Sequence, residues 1–277
     1  MFKTRILSSL FLFLFLYIST LSTFLYLLII IHLISFLVCF EYLRIINFSG
    51  AKKRSVSQYY NNLLLTRKRL LKIDIFLIVF IQGSFTLFYN NYISITFLLL
   101  IPILISIYGV IRHKFFEYLF LMYWILPFYF LIFIFHQDQT FYFLTLFLVI
   151  TISTDVGAYM FGKTLKGPKI LKNISPNKTW SGFVGANLLT IIGVSTFFSS
   201  SVIDVNFVLI LISFSVICQT GDFLESYLKR YFNIKNSSNL IPGHGGILDR
   251  IDGLTLLINA IFLLYVFNFD FMSIFIL

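Results

Sequence analysis

The sequence predicts an all-α, polytopic integral membrane protein with about nine transmembrane helices and a cytoplasmic N-terminus. Three observations carry this prediction. The 277 residues are 59% apolar and 12% charged, with a mean hydropathy of +0.93, whereas a soluble domain carries about 25% charged residues. The apolar residues form runs long enough to cross a bilayer as helices, without the alternation of barrel strands. The basic charge also falls on one side of the resulting map. The same composition excludes a disordered chain, a nucleic-acid-binding arm and a disulfide-rich secreted scaffold.

The runs, in order, are Ile6 to Ile18, Leu21 to Leu43, Ile75 to Tyr89, Ile93 to Val110, Tyr118 to Phe135, Phe141 to Phe161, Phe183 to Ser199, Asn206 to Phe223 and Leu254 to Phe271. Residues 6 to 43 are long for one upright helix and short for two, and Ser19, Thr20, Ser22 and Thr23 offer a turn between them. The start, Met1 with Lys3 and Arg5 before apolar sequence, imitates a signal peptide. It lacks a small-residue cleavage site, so an uncleaved first span is expected.

With the N-terminus inside, all 21 Lys and Arg fall in inside segments. The outside turns and the outer end of the last span hold Asp138, Asp204 and Asp270 and no basic residue. A wrong span count would scatter these charges over both sides. The net charge of +10 is therefore topological, and it suits anionic headgroups and nucleotide phosphates. The basic stretch Arg44 to Lys72 reads as a surface loop at the anionic leaflet. Cys39 and Cys218 lie in apolar runs and read as buried thiols.

Residues 1–150 read as a transmembrane scaffold and 151–277 as the catalytic region, within one integrated membrane domain. Eleven of the 14 glycines lie between Gly157 and Gly253. Asp155 is an ionisable residue inside the sixth run, which marks a functional position or a carboxylate paired with a lysine such as Lys178. The next inside loop places five lysines among glycines and prolines, a composition that presents ammonium groups and backbone amides to anions. In Ser175-Pro176-Asn177-Lys178-Thr179, Thr179 is placed to cap the following helix.

Asp222, Glu225, Ser226 and Lys229 share one helical face, with Arg230 beside it. Such a face could hold a divalent metal and phosphates together, or close on itself in salt bridges. Gly243-His244-Gly245-Gly246 then lets backbone approach a ligand. Asp249 and Asp252 point the same way at the start of the last span, with Arg250 between them. With Asp222 they supply oxygen ligands of the kind that suits Mg²⁺. His244 could hydrogen-bond a phosphate or act as an acid, while His32, His113 and His136 have no companions.

These residues resemble the phosphatidate cytidylyltransferase, or CDP-diacylglycerol synthase, family. The resemblance rests on Ser226, Lys229, Arg230 and Lys235, then Pro242, His244, Gly245, Gly246, Asp249, Arg250 and Asp252. Upstream, Asp155-Val156-Gly157-Ala158-Tyr159 and Ser175 to Trp180 are similar to further family motifs, so the match covers roughly residues 150 to 255. Two positions depart from the pattern. Asn236 stands where the family has Asp, and Ser181 where an acid or Gln commonly follows the tryptophan.

The resemblance implies that CTP and phosphatidic acid give CDP-diacylglycerol and pyrophosphate, with Mg²⁺ and, as an option, a second cation. It implies Asp222, Asp249 and Asp252 at the metal. Lys178, Lys229, Arg230, Lys235 and Arg250 would serve the phosphates, and Thr179, Ser226, His244, Gly245 and Gly246 would add hydrogen bonds. A lipid phosphate is already ionised at neutral pH, so no general base is required. CTP, phosphatidic acid and membrane lipids are the expected partners, a homodimer is an option, and nucleic acid is not expected. The expected location is a bacterial inner membrane with the site facing the cytoplasm. Open alternatives are a polyprenol kinase, a cytidylyltransferase for an isoprenoid lipid, and an inactive lipid-binding family member. A transporter fits poorly, because the polar motifs crowd one side.

Overall fold

The computed structural model describes residues 24–49, 77–78, 80–82, 100–135, 140–172, 174–198, 204–234, 236–238 and 245–267. Its elements are α1 (Phe24–Ser49), α2 (Leu100–Ile111), α3 (Phe115–Phe135), α4 (Thr140–Leu165), β1 (Lys169–Leu171), β2 (Ser175–Thr179), α5 (Trp180–Phe197), α6 (Val205–Tyr231) and α7 (Leu248–Val266). Among the described residues five helices are long and apolar enough to cross a membrane: Leu28–Ile46, Phe115–Phe133, Tyr142–Leu165, Trp180–Phe197 and Val205–Tyr231. The expected span Ile6 to Ile18 and most of Ile75 to Tyr89 lie outside the described residues. The protein is a mostly helical, polytopic membrane protein, with one small hairpin in what reads from sequence as a loop.

The chain divides into two compact units. The first comprises residues 1–138 and 231–250. In it α1 and α2 pack on α3 around Leu43, Ile46, Tyr118, Leu121, Trp124 and Ile125, all buried. Several polar groups in this apolar setting find partners, which an interior without water favours. Tyr42 donates to the Glu117 carbonyl at 3.0 Å. Lys114 Nζ donates to the Ile46 carbonyl at 2.5 Å, in the last turn of α1 where carbonyls lack helical donors. Gln82 Nε2 donates to Ser35 Oγ at 2.9 Å.

The second unit comprises residues 139–230 and 251–277. Here α4 and α5 pack along faces of small residues. A Cβ on Gly157 would sit 2.5 Å from the Gly185 carbonyl oxygen, and one on Gly182 would sit 2.7 Å from that of Ala158. With no hydrophobic drive between helices in lipid, close backbone approach supplies the attraction. The outward faces keep Val184, Ile192, Leu209 and Leu263 exposed, as lipid contact requires.

Strands β1 and β2 pair antiparallel with Lys169 opposite Thr179 and Leu171 opposite Ser175, and an irregularity between them. The hairpin ends directly in α5. Thr179 is the N-cap, its hydroxyl accepting from Gly182 N at 3.2 Å, as its place in the sequence predicts. The Trp180 amide donates to the Pro168 carbonyl at 3.0 Å, tying the helix start to the hairpin base. Thr179→Ala is expected to cost about 1 kcal/mol, read as a lower unfolding midpoint of the detergent-solubilised protein.

Candidate functional site

Helix α6 runs past the end of its apolar stretch at Phe223 to Tyr231, so the charged segment stays helical. Helix α7 likewise starts at Leu248, before the apolar stretch that opens at Leu254. The two helices cross tightly in the second unit. A Cβ on Gly221 would lie 2.7 Å from the Asp252 carbonyl oxygen, and one on Gly253 would lie 2.7 Å from Asp222 Oδ1. Each glycine adjoins an aspartate, so the crossing sets Asp222 and Asp252 side by side. Asp222, Glu225, Asp155 and Lys178 all act electrostatically on Asp252.

Beside this crossing is a pocket of about 290 Å³. Helix α4 gives it Thr154, Asp155 and Tyr159, the hairpin gives Asn177, Lys178 and Thr179, and α6 gives Gln219, Asp222 and Phe223. Asp155 is thus an exposed pocket residue. Lys178 Nζ lies 3.1 Å from Asp222 Oδ2 and 4.2 Å from the centre of the Phe223 ring. The lysine is held by a charge on one side and a π face on another. Thr154 Oγ1 meets Cys218 Sγ at 3.4 Å, linking α4 to α6. Both cysteines are buried and free.

On the helical face foreseen from sequence, Lys229 forms a salt bridge with the buried Glu225. Ser226 is half-buried one position on. Arg230 Nε donates to the Ile174 carbonyl at 3.3 Å and so tethers the hairpin turn. Ser181 accepts from Gly167 N at 3.1 Å and lies 3.1 Å from Thr179 Oγ1, so the residue that departs from the family pattern holds the hairpin start.

In the first unit, the Asp249 carboxylate accepts from Gly246 N at 2.9 Å and from Ser237 N at 3.2 Å. Gly245 has φ +87°, the left-handed region, and a Cβ there would strike Asp249 Oδ2, so only glycine fits. Arg250 is exposed, and Asn236 is half-buried at the turn. Lys235, Pro242 and His244 lie outside the described residues.

Sequence reasoning missed Glu41. Its carboxylate, buried in α1, accepts from Ile247 N at 2.9 Å and Leu248 N at 3.2 Å. Gly246 allows this approach, because a Cβ there would land on Glu41 Oε1 and Ser237 Oγ. The available signal was an acid inside an apolar run, the same one that singled out Asp155.

Mg²⁺ would meet two aspartates, Asp222 and Asp252, at one helix crossing. Among the described residues no three His, Cys, Asp or Glu side chains are grouped to hold an ion alone. Mg²⁺ usually takes one or two carboxylates and completes its shell with water and substrate phosphates. Asp222 and Asp252 fit that demand.

Residues 3–268 match the model of the cytidylyltransferase family. The chain belongs to the cytidylyltransferase family. Relatives within it include the phosphatidate cytidylyltransferase of Brucella suis biovar 1 (strain 1330), 40% identical over 137 residues, 47% of this chain and 49% of that protein. The phosphatidate cytidylyltransferase of Bacillus subtilis (strain 168) is 43% identical over 107 residues, 38% of this chain and 40% of that protein. That of Rickettsia conorii (strain ATCC VR-613 / Malish 7) is 35% identical over 153 residues, 51% of this chain and 66% of that protein. The chain thus spans about half the length of the first of these cytidylyltransferase relatives.

Proposed function

We propose that the protein is a CTP:phosphatidate cytidylyltransferase that makes CDP-diacylglycerol and pyrophosphate. The observation that carries the reading is the Lys178–Asp222 pair, set in a pocket at the α6–α7 crossing of a membrane protein from the cytidylyltransferase family. Relatives named phosphatidate cytidylyltransferase support it.

In this reading a lipid phosphate oxygen attacks the α-phosphorus of CTP. The bond from that phosphorus to the bridging oxygen breaks, and pyrophosphate leaves with the electron pair. The nucleophile is already anionic, so the protein must position two polyanions and neutralise charge. Lys178 supplies an ammonium group to the phosphates, exchanging its contact with Asp222 for them. Lys229, Arg230, Lys235 and Arg250 add positive charge, and Thr179, Ser226, His244 and Gly245 add hydrogen bonds, while the Gly246 amide holds Asp249. Asp222 and Asp252 would hold Mg²⁺, which when bound offsets the charge on the nucleotide phosphates. Asp249, a ligand by the sequence pattern alone, is engaged with two backbone amides. The basic inside segments support a site facing the cytoplasm of a bacterial inner membrane. A homodimer through the spans belongs to the same proposal.

The test is a liposome assay with labelled CTP, phosphatidic acid and Mg²⁺, counting label in the lipid phase. Label from the α-phosphate that needs phosphatidic acid and Mg²⁺ is expected. Transfer of γ-label to a polyprenol would instead make the protein a kinase, and α-label that needs an isoprenoid phosphate would change the acceptor. No lipid label from folded protein would leave a binding role. Asp249→Asn is expected to fold and insert but lose most activity, with a higher Mg²⁺ requirement if the carboxylate is a ligand. A variant at the wild-type rate would remove Asp249 from the site.

A further inference from the structure

Glu41 is 2% exposed in a mostly apolar helix. A carboxylate taken out of water is costly unless hydrogen bonds replace its hydration. A buried leucine would avoid that cost, so packing alone does not account for an acid here. Its partners do. The amides of Ile247 and Leu248 open α7, where a helix leaves its donors unsatisfied and its dipole is positive. Asp249 takes the Gly246 amide. Three consecutive amides therefore rest on two carboxylates, and among the described residues Glu41 reaches them from outside the turn. Among the described residues, Glu41 Oε1 has no hydrogen-bond partner; it is buried and faces Gly246 beside Ser237 Oγ, which also lacks one there.

We propose that Glu41 is a positioning residue, which fixes the first turn of α7 and with it the directions of Asp249 and Arg250. Asp249 and Arg250 belong to that first turn, so its roll sets where both side chains point. What Glu41 holds rests on geometry, and the consequence for turnover rests on the cytidylyl-transfer reading. The buried carboxylate would thus link the N-terminal helix to the charged turn.

The experiment uses the full chain in nanodiscs and compares wild type with Glu41→Gln, Glu41→Asp and Gly246→Ala. Amide exchange is followed by mass spectrometry alongside turnover and Mg²⁺ titration. Glu41→Gln is expected to speed exchange at residues 246–248 by roughly tenfold, the scale of a lost charge-assisted hydrogen bond. Turnover is expected to fall by a similar factor and the Mg²⁺ requirement to rise, while exchange in α4 and α5 stays unchanged. Glu41→Asp, one methylene short, is expected not to restore either. Gly246→Ala pushes the carboxylate aside without removing its charge, so it repeats the effect and carries the test if Glu41→Gln does not fold.

Unchanged exchange at 246–248 in Glu41→Gln overturns the proposal, as does faster exchange with wild-type turnover. Exchange that speeds equally in every helix would mark Glu41 as a general stabiliser and overturn it too. The exchange comparison needs no turnover. A wild type that makes no labelled lipid therefore defeats the reaction reading, while the exchange comparison still decides what Glu41 holds.

Discussion

Asparagine in place of Asp222 is expected to lower turnover by roughly a thousandfold, the upper scale for losing one electrostatic group at a reaction centre. The change keeps the size of the side chain and one acceptor oxygen, so the tight contact with Gly253 is preserved and the helix crossing stays closed. What is lost is the charge, and two functions depend on it. Lys178 loses the carboxylate that holds it 3.1 Å away, and the α6–α7 crossing loses one of its two aspartates. Lys178→Gln removes the other half of the pair and is expected to weaken nucleotide binding. If the two act as a unit, the double variant will be little slower than the slower single variant. Independent, multiplying losses would show that the pair is a surface ion pair of small worth, and a near wild-type rate for Asp222→Asn would remove it from the site.

The span pattern is legible because hydropathy reports directly on contact with lipid: α3, α4 and α6 contain the expected runs, and α5 contains its own up to Phe197. Helix ends are less legible. Backbone hydrogen bonding carries α6 to Tyr231 through Glu225 and Lys229, beyond where apolar sequence stops. The hairpin at Lys169–Thr179 has Lys169, Pro176, Asn177 and Lys178 at strand positions where β-branched residues are usual, and it is held by its attachment to α5 and by Arg230. The acids of the site were visible as acids, but their company was not. Lys178 was an obvious partner for Asp155, and it pairs with Asp222. Glu41 meets amides 206 and 207 positions away, and backbone amides leave no mark in the sequence. The glycines between 157 and 253 mark the region where the site should lie, yet Gly157, Gly182, Gly221 and Gly253 serve close contact between helices.

That last role gives the second large effect. Alanine at Gly253 would put a methyl group 2.7 Å from Asp222 Oδ1, 2.8 Å from Cys218 Sγ and 3.0 Å from the Cys218 carbonyl oxygen. The carbonyl belongs to the helix and moves only with it, whereas the carboxylate can swing away. Overpacking of this kind costs about 1–3 kcal/mol, and an ångström of displacement at a reacting centre costs about a hundredfold in rate. Gly253→Ala is therefore expected to lower the unfolding midpoint modestly and turnover by roughly a hundredfold. Adding Cys218→Ala separates the two effects, because it removes the sulfur contact and leaves the carboxylate contact in place. The double variant should recover part of the lost stability and little of the lost activity. If activity returned with stability, the damage would lie in the packing of α6 on α7, and the placement of Asp222 by this crossing would not be what sets the rate.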